Sequence, residues 1–420
     1  MIELSVIIPV LNESRNIGSL LKKIKSFLDK LNITYEIIIV DGGSKDGTVE
    51  IASRNSDKVI IQKESGFANA LHEGFKAAQG ETLLTLDADL SHPPDFIPKM
   101  LEKIKEAEIV VASRYTPGGN AEMAFLRYML SRLANLFFQY GLSLPLRDIT
   151  SGFRAYQRKV IDSIETQAKD FAILPEILIE AYAKGWQIRE IPFHYAARRS
   201  GRSHLKMFKF ALDYLKVFLG LWKKRNSLDF CDYDERGYYS RIFLQRYWQR
   251  KRYKIIMGFI ERSGLMADLG CGSSKIIQDL PEAVALDLSI EKLRYIRKNN
   301  KYLIKANLTA LPFKNEVFSC IVCSQVIEHV SEERLVFKEM TRILRPEGIL
   351  VLGTPDYGKL SWWIIEFFYG LLLPGGYKDK HVIRYTNLTL RKILESYNFK
   401  ILAQKYICGS ELIIKAKKKG

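Results

Sequence analysis

The run Leu86-Asp87-Ala88-Asp89-Leu90-Ser91-His92-Pro93-Pro94 sets two carboxylates two residues apart, directly after the β-rich run Thr82-Leu83-Leu84-Thr85. Residues i and i+2 of a strand share a face. At a strand end, where the backbone bends, such a pair can hold one hard cation and leave positions open for phosphate oxygens. The same two residues could also cap a strand and solvate a loop. A third acid, Asp41, follows the apolar run Tyr35-Glu36-Ile37-Ile38-Ile39-Val40. Three acids at neighbouring strand ends favour a site over three separate caps. The second half of the chain holds a different pattern: Met266-Ala267-Asp268-Leu269-Gly270-Cys271-Gly272, then Val284-Ala285-Leu286-Asp287. A strand, a glycine turn, a helix start and a second strand ending in an acid suit an adenosine ligand. The glycines admit close backbone approach, and the carboxylate accepts from ribose hydroxyls.

The elements that must position these residues alternate. Strands are expected over 6–10, 35–40, 58–61 and 82–85, with helices over 12–30, 48 onward and 66–78. That alternation gives a mostly parallel sheet whose ligands collect at the carboxyl ends of the strands. Arg127 and Ser131 lie four apart on a helix expected over 125–138, so both face one way. Residues 205–222 read as an amphipathic helix suited to a membrane interface or to burial against a second domain. Residues 226–235 read as an acidic linker, and 238–260 as a basic, aromatic helix. Cys320 and Cys323 lie three apart on a strand and so point to opposite faces, as core residues rather than a metal clamp.

A chain of 420 residues suffices for two domains. Its ordinary charged and apolar fractions exclude disordered and collagen-like classes. Five cysteines without a framework spacing suggest a reducing compartment. The first strand begins almost at residue 1, leaving no room for a signal peptide, and no uncharged apolar run reaches the ~20 residues of a membrane span. The expectation is a cytoplasmic protein, peripheral on the inner face of the cell membrane. The net charge of +17 is concentrated: residues 198–254 carry sixteen Lys/Arg against five Asp/Glu, or +11. Such a patch can serve nucleic acid, anionic lipid or a phosphorylated substrate. Its aromatic residues follow a helical pattern and no nucleic-acid motif is present, which favours lipid phosphate and no nucleic acid.

The motifs Ser5-Val6-Ile7-Ile8-Pro9 with Asn12-Glu13, Val40-Asp41-Gly42-Gly43-Ser44 with Asp46-Gly47-Thr48, Asp87-Ala88-Asp89-Leu90-Ser91-His92-Pro93, Ala112-Ser113-Arg114-Tyr115 with Gly118-Gly119, and Asp148-Ile149-Thr150-Ser151-Gly152-Phe153-Arg154-Ala155-Tyr156 stand in order over residues 1–225. Together they resemble the GT-A fold of family 2 glycosyltransferases, with the nearer match to dolichyl-phosphate mannose synthases and other polyprenyl-phosphate sugar transferases. The resemblance implies that Pro9, Glu13 and Asp41 line a nucleotide pocket. It implies that Asp87 and Asp89 bind Mg²⁺ or Mn²⁺ on the donor diphosphate, Asp89 being catalytic. Arg114, Arg127 and Ser131 would hold the lipid phosphate, and Arg202 and Ser203 would belong to a basic loop over the diphosphate. Gly42 stands where many relatives carry a second acid, Ser91 where some carry Gln, and His204 where Lys is usual.

Residues 235–418 resemble class I S-adenosylmethionine methyltransferases. The resemblance rests on the glycine turn together with Ala306-Asn307-Leu308, Val326-Ile327-Glu328-His329-Val330 and Leu344-Arg345-Pro346-Glu347-Gly348. It implies that Asp268, Gly270 and Gly272 cradle the methionine part of S-adenosylmethionine, that Asp287 takes the ribose, and that Asn307 sits near the adenine. Ser274 replaces the third glycine. Glu328 and His329 read either as catalytic or as structural. The apolar run 362–373 suggests an acceptor lid, a membrane-dipping segment or an inter-domain contact.

The resulting expectation is an α/β chain of three parts: 1–225 a glycosyltransferase domain, 226–260 a linker and leading helix, and 261–420 a Rossmann-like methyltransferase domain. It would move a sugar, mannose by the nearer resemblance, from a nucleotide-sugar to dolichyl or polyprenyl phosphate. The alternatives are a glycan or surface saccharide as acceptor, and a second domain that methylates that glycan or only binds.

Overall fold

Uninterrupted runs of Val, Ile and Leu become the central strands of two sheets, as strands covered on both faces require. In the computed structural model, residues 2–197, 207–372 and 381–420 are described, with only the backbone described over 207–213 and 369–372. The chain divides into two units, Met1–Tyr182 with Trp186–Arg225, and Asn226–Gly420 with Ala183–Gly185.

In the first unit the strands are β1 (Leu4–Val10), β2 (Tyr35–Asp41), β3 (Lys58–Ile61), β4 (Thr82–Thr85), β5 (Ile109–Ser113), β6 (Asn120–Ala121), β7 (Arg154–Gln157), β8 (Ile188–Pro192) and β9 (His194–Tyr195). Seven of them form one sheet in the order β3-β2-β1-β4-β7-β5-β8. All its neighbours run parallel except β7, which is antiparallel to β4 and β5. The helix Ser14–Leu28 buries Ile17, Leu20, Leu21, Ile24 and Leu28, the three-and-four spacing of one face, into the core under this sheet. β1 and β2 pair in the register Pro9 to Val40 and Val10 to Asp41, so the acid ending β2 lies beside the end of β1.

The second unit holds β10 (Met266–Leu269), β11 (Val284–Asp287), β12 (Tyr302–Lys305), β13 (Phe318–Ser324), β14 (Leu344–Pro355), β15 (Phe399–Ile407) and β16 (Glu411–Lys418). The order is β12-β11-β10-β13-β14-β16-β15, with β16 antiparallel to both its neighbours. Strand order reverses beside β10, which opens a crevice at the carboxyl ends of β10 and β13. Cys320 and Cys323 are buried in different cores, one on each face of this sheet, as their spacing on a strand requires.

The expectation of a bare linker at 226–235 is corrected here. Tyr233–Tyr238 is a helix of the second unit, and the Asp234 carboxylate accepts from Ser273 N and Ser273 Oγ. The helix expected over 238–260 is Phe243–Phe259, its inner side set by Ile255, Ile256 and Phe259.

Candidate active sites

The first site gathers at the carboxyl ends of β1, β2 and β4. Asp41 is buried; its Oδ2 accepts from the backbone N–H groups of Gly43 and Ser44, each at 2.8 Å, while its buried Oδ1 has no hydrogen-bond partner among the described residues. Glu13 opens the helix after β1: its N–H reaches Thr48 Oγ1, and its carboxylate accepts from Asn16 Nδ2 at 2.6 Å. Pro9, Glu13 and Asp41 therefore stand together at one edge of the sheet.

Asp87 and Asp89 lie on the turn that leaves β4, not on the strand itself, with Leu90 at φ 64° bending the chain back. Asp89 is buried, and its Oδ1 accepts from both the N–H and the hydroxyl of Ser91. Ser91, found where some relatives place Gln, thus orients an acid. His92 Nδ1 accepts from Asp87 N at 2.9 Å, so the proton of the neutral ring sits on Nε2, 3.7 Å from Asp87 Oδ2. Burial against Phe153 lowers the His92 pKa and keeps the ring neutral.

The opposite wall comes from the helix Phe125–Gly141, which carries Arg127 and Ser131. Asn135, buried on this helix, donates to Thr150 Oγ1 and to Ser131 O, and accepts from Ile149 N, stapling the helix to the loop before β7. Arg114 is held by a carboxylate of the same wall. Its guanidinium is bound to Asp148 through Nε and one terminal nitrogen at 2.8 and 2.7 Å, and to Thr150 Oγ1. Asp148 is fully buried and held well below the usual carboxylate range, burial opposing and the Arg114 charge and hydrogen bonds overcoming it. Asp148 and Thr150 thus fix the orientation of the Arg114 guanidinium in this wall. Arg202 and Ser203 lie outside the described residues.

Three residues not picked from the sequence join this site. Arg132 stacks over the Tyr115 ring at 4.9 Å, and one of its terminal nitrogens is buried without a hydrogen-bond partner among the described residues. The Tyr115 hydroxyl donates to Ser131 Oγ at 2.8 Å. Tyr195 links both walls. Burial raises its pKa most and Asp87 and Asp89 add to the rise, while a hydrogen bond with Ser91 and the Arg127 charge oppose it. Arg132 is one step from a residue already singled out. Tyr195, on the short strand β9, carried no spacing signal.

The second site is a cavity of about 610 Å³ at the carboxyl ends of β10 and β11, lined by Asp268, Gly270, Gly272, Asp287, Asn307 and Asp234 among others. Gly270 and Gly272 have φ of +71° and +55°. A Cβ added at Gly270 would stand 2.5 Å from Val326, and one at Gly272 would stand 2.4 Å from Asp234 Oδ2. Asp287 accepts from Gly272 N and Ser289 N, both at 2.8 Å, which fixes its carboxylate at the cavity edge. Asn307 Oδ1 accepts from Thr309 N. Asp268 is buried beside Asp287 and Asp234, and burial first, then those two charges, pushes its pKa up to about 8. Lys292 reaches Asp234 at 3.1 Å. Asp234 is the lining residue least visible beforehand, because it precedes the glycine turn by more than thirty residues.

Residues 5–165 match the family model described as glycosyl transferase family 2, and residues 267–352 match the model described as methyltransferase domain. The chain joins a family 2 glycosyl transferase domain to a methyltransferase domain. Dolichol-phosphate mannosyltransferase of Pyrococcus furiosus is 38% identical over 237 residues, covering 54% of this chain and 66% of that protein. Undecaprenyl-phosphate 4-deoxy-4-formamido-L-arabinose transferase of Pseudomonas fluorescens is 31% identical over 206 residues, covering 47% of this chain and 59% of that protein. The chain thus spans less than two thirds of the length of either relative. A glucosyl-3-phosphoglycerate synthase structure from Mycobacterium tuberculosis aligns with 53% of this chain and 79% of its own at 19% identity, with a TM-score of 0.42. The first sheet, with its single reversed strand β7, is the GT-A sheet of the glycosyltransferase. The second, with β16 reversed, is the Rossmann-like sheet of a class I methyltransferase.

The side chains fit the groups these families use. The glycosyltransferase offers two hard carboxylates on one turn and an orphaned buried acid oxygen at the neighbouring strand end. The methyltransferase offers a cradle that any Cβ would fill, within a cavity of ordinary ligand size.

Proposed function

We propose that the first domain transfers a sugar, mannose being the first candidate, from a nucleotide-sugar to dolichyl or another polyprenyl phosphate, and that the second uses S-adenosylmethionine to methylate an acceptor. The observation that carries the first half is a pairing of opposite chemistries across one site. Asp41, Asp87 and Asp89 stand at the strand ends, and the helix Phe125–Gly141 brings Arg127, Ser131 and a buried Arg132 nitrogen that has no partner among the described residues. The first set suits a metal-bound diphosphate and the second a phosphate monoester. The names of the two relatives support a polyprenyl-phosphate acceptor.

Asp87 and Asp89 would hold Mg²⁺ or Mn²⁺, which when bound neutralises charge building on the leaving diphosphate. Asp41 would take the nucleoside. Arg127 and Arg132, with Ser131, would orient the acceptor phosphate. A phosphate monoester with a second pKa of about 6 is ionised near neutral pH and needs no protein base. Attack from the far face would invert the anomeric centre.

Among the described residues no helix is long and apolar enough to cross a membrane. The helix Phe125–Gly141 nevertheless exposes Phe125, Met129, Leu133 and Phe137, a stripe at four-residue steps, and the helix Met207–Arg225 exposes Leu215, Leu219 and Trp222. Such stripes support docking on a membrane surface, where a polyprenyl acceptor resides; we place that surface at the inner face of the cell membrane.

Purified chain incubated with nucleotide-sugars, Mn²⁺ and radiolabelled dolichyl or undecaprenyl phosphate should label the lipid, and Asp89→Ala should abolish labelling. Inactivity with every common donor and both lipids would overturn the reading. Labelling of a glycan acceptor that survives Arg127→Ala and Arg132→Ala would favour a surface saccharide instead. For the second domain, calorimetry with S-adenosylmethionine showing no heat would reduce it to a binding module.

A further inference from the structure

We propose that the methyltransferase domain holds a divalent metal ion between Glu328, His329 and His381, at the rim of its cavity. One donor atom from each of these residues lies within 4.8 Å of the other two. Glu328 is fully buried, and among the described residues its carboxylate meets the Thr354 hydroxyl and its own backbone N–H without a well-formed hydrogen bond to either. A buried carboxylate left in this way is costly unless something binds it. The backbone holds the three together: Glu328 and His329 share the single turn Ile327–His329, and Glu328 O accepts from Val382 N and Ile383 N at 2.8 and 3.1 Å, tying the residues after His381 to that turn.

The hydrogen bonds of His381 also suit an ion. The Tyr357 hydroxyl donates its proton to Glu366 Oε1 at 2.7 Å, and the same oxygen lies 2.6 Å from His381 Nδ1. Its one hydrogen being committed, that oxygen accepts from Nδ1–H, which places the imidazole lone pair on Nε2. A hydrogen bond of this kind behind an imidazole fixes tautomer and ring orientation in metal sites. The rings of His329 and His381 stand 4.8 Å apart at 58°, inclined rather than stacked flat.

Two imidazoles and one carboxylate, with no thiolate, suit Zn²⁺, Fe²⁺, Mn²⁺ or Co²⁺ better than a soft ion. At bond lengths of ~2.1 Å, donors around a tetrahedral ion stand about 3.4 Å apart, so binding would draw these side chains together by small rotations. Three protein donors leave positions open. His329 and Val382 line the same cavity as Gly270 and Asp287. An oxygen of the methyl acceptor, a hydroxyl or a carboxylate, could therefore occupy an open position at the edge of that cavity. This last step rests on the methyltransferase reading; the ion site itself does not.

The test uses the full chain carrying Asp89→Ala, which removes the diphosphate metal site, stripped with chelator and titrated with Co²⁺ and Zn²⁺. One equivalent of Co²⁺ with visible absorption bands is expected, displaced by Zn²⁺. Glu328→Gln and His381→Ala should each weaken binding about a hundredfold, and Tyr357→Phe about tenfold. Circular dichroism melting confirms that each variant folds; should Glu328→Gln not fold, His381→Ala and Tyr357→Phe carry the test. Absence of a Co²⁺ equivalent, or affinity unchanged in the folded variants, overturns the proposal. Calorimetry with S-adenosylmethionine runs in parallel. Co²⁺ binding without cofactor heat would keep the ion site and sink the methyltransferase reading, and heat without Co²⁺ binding would do the reverse.

Discussion

Two carboxylates in this chain sit in opposite electrostatic settings, and each makes a prediction. Asp148 is fully buried, but the Arg114 guanidinium keeps it ionised. Asp148→Asn would leave a buried arginine charge without its partner, costing about 3–5 kcal/mol. Chemical denaturation followed at the first transition should show that loss. Sugar transfer should fall with it, since Asp148 sets the orientation of Arg114 in the proposed acceptor wall. Asp268 has no such partner: burial, Asp287 and Asp234 raise its pKa from 3.8 to about 8. The folded form thus prefers the neutral acid, whereas the unfolded chain ionises near 3.8. The stability this group contributes is full below about pH 4 and is lost as pH rises towards 8. The second unit should therefore melt at a lower temperature at pH 8 than at pH 5, and Asp268→Asn should flatten that decline. A decline unchanged in Asp268→Asn would remove Asp268 as its source.

At the scale of elements, the helix Phe125–Gly141 joins two jobs, carrying the cations Arg127 and Arg132 and an exposed apolar stripe. Asn135 is its anchor. Asn135→Ala would strand the buried Ile149 N–H and remove one of the bonds to the Thr150 hydroxyl, an expected cost of about 1–3 kcal/mol. Because Ser131 and Arg127 ride on the same helix, KM for the lipid phosphate should rise more than KM for the nucleotide-sugar; an equal rise in both would argue against the acceptor wall. This element also shows what the sequence made legible. The spacing of Arg127 and Ser131 and the span of the helix could be read in advance, as could β3 and β4 to the residue, because periodicity and strand-end acids are local signals. Asp234, Tyr195 and His381 could not be chosen, since each owes its place to a chain segment remote from the motif it serves, whereas Arg132, beside Ser131, was within reach. Residues 226–235 misled for a related reason: an acidic, polar run resembles a linker unless one knows that Ser273 and Lys292 wait to receive Asp234. That Arg114 pairs with Asp148, thirty-four residues away, is likewise visible only in the fold.

For the whole molecule, the decisive feature is that each sheet has its own hydrophobic core, no cluster among the described buried residues joining the two units. Domains with separate cores can unfold as separate cooperative units, and a ligand that binds only the folded form stabilises only the unit it occupies. At a hundred times its dissociation constant, a ligand adds about 2.7 kcal/mol. For a unit of about 200 residues each kcal/mol moves the midpoint by ~2–4 °C, so a shift of about 5–10 °C is expected. Calorimetric scans of the full chain should then show two transitions that respond independently. Nucleoside diphosphate with Mn²⁺ should raise one, an effect absent in Asp87→Ala. S-adenosylmethionine should raise the other, an effect absent when Gly270→Val fills the cradle where even a single Cβ would stand 2.5 Å from Val326. If either ligand moved both transitions together, the two sites would be energetically coupled, and the reading of two self-contained catalytic units would fail.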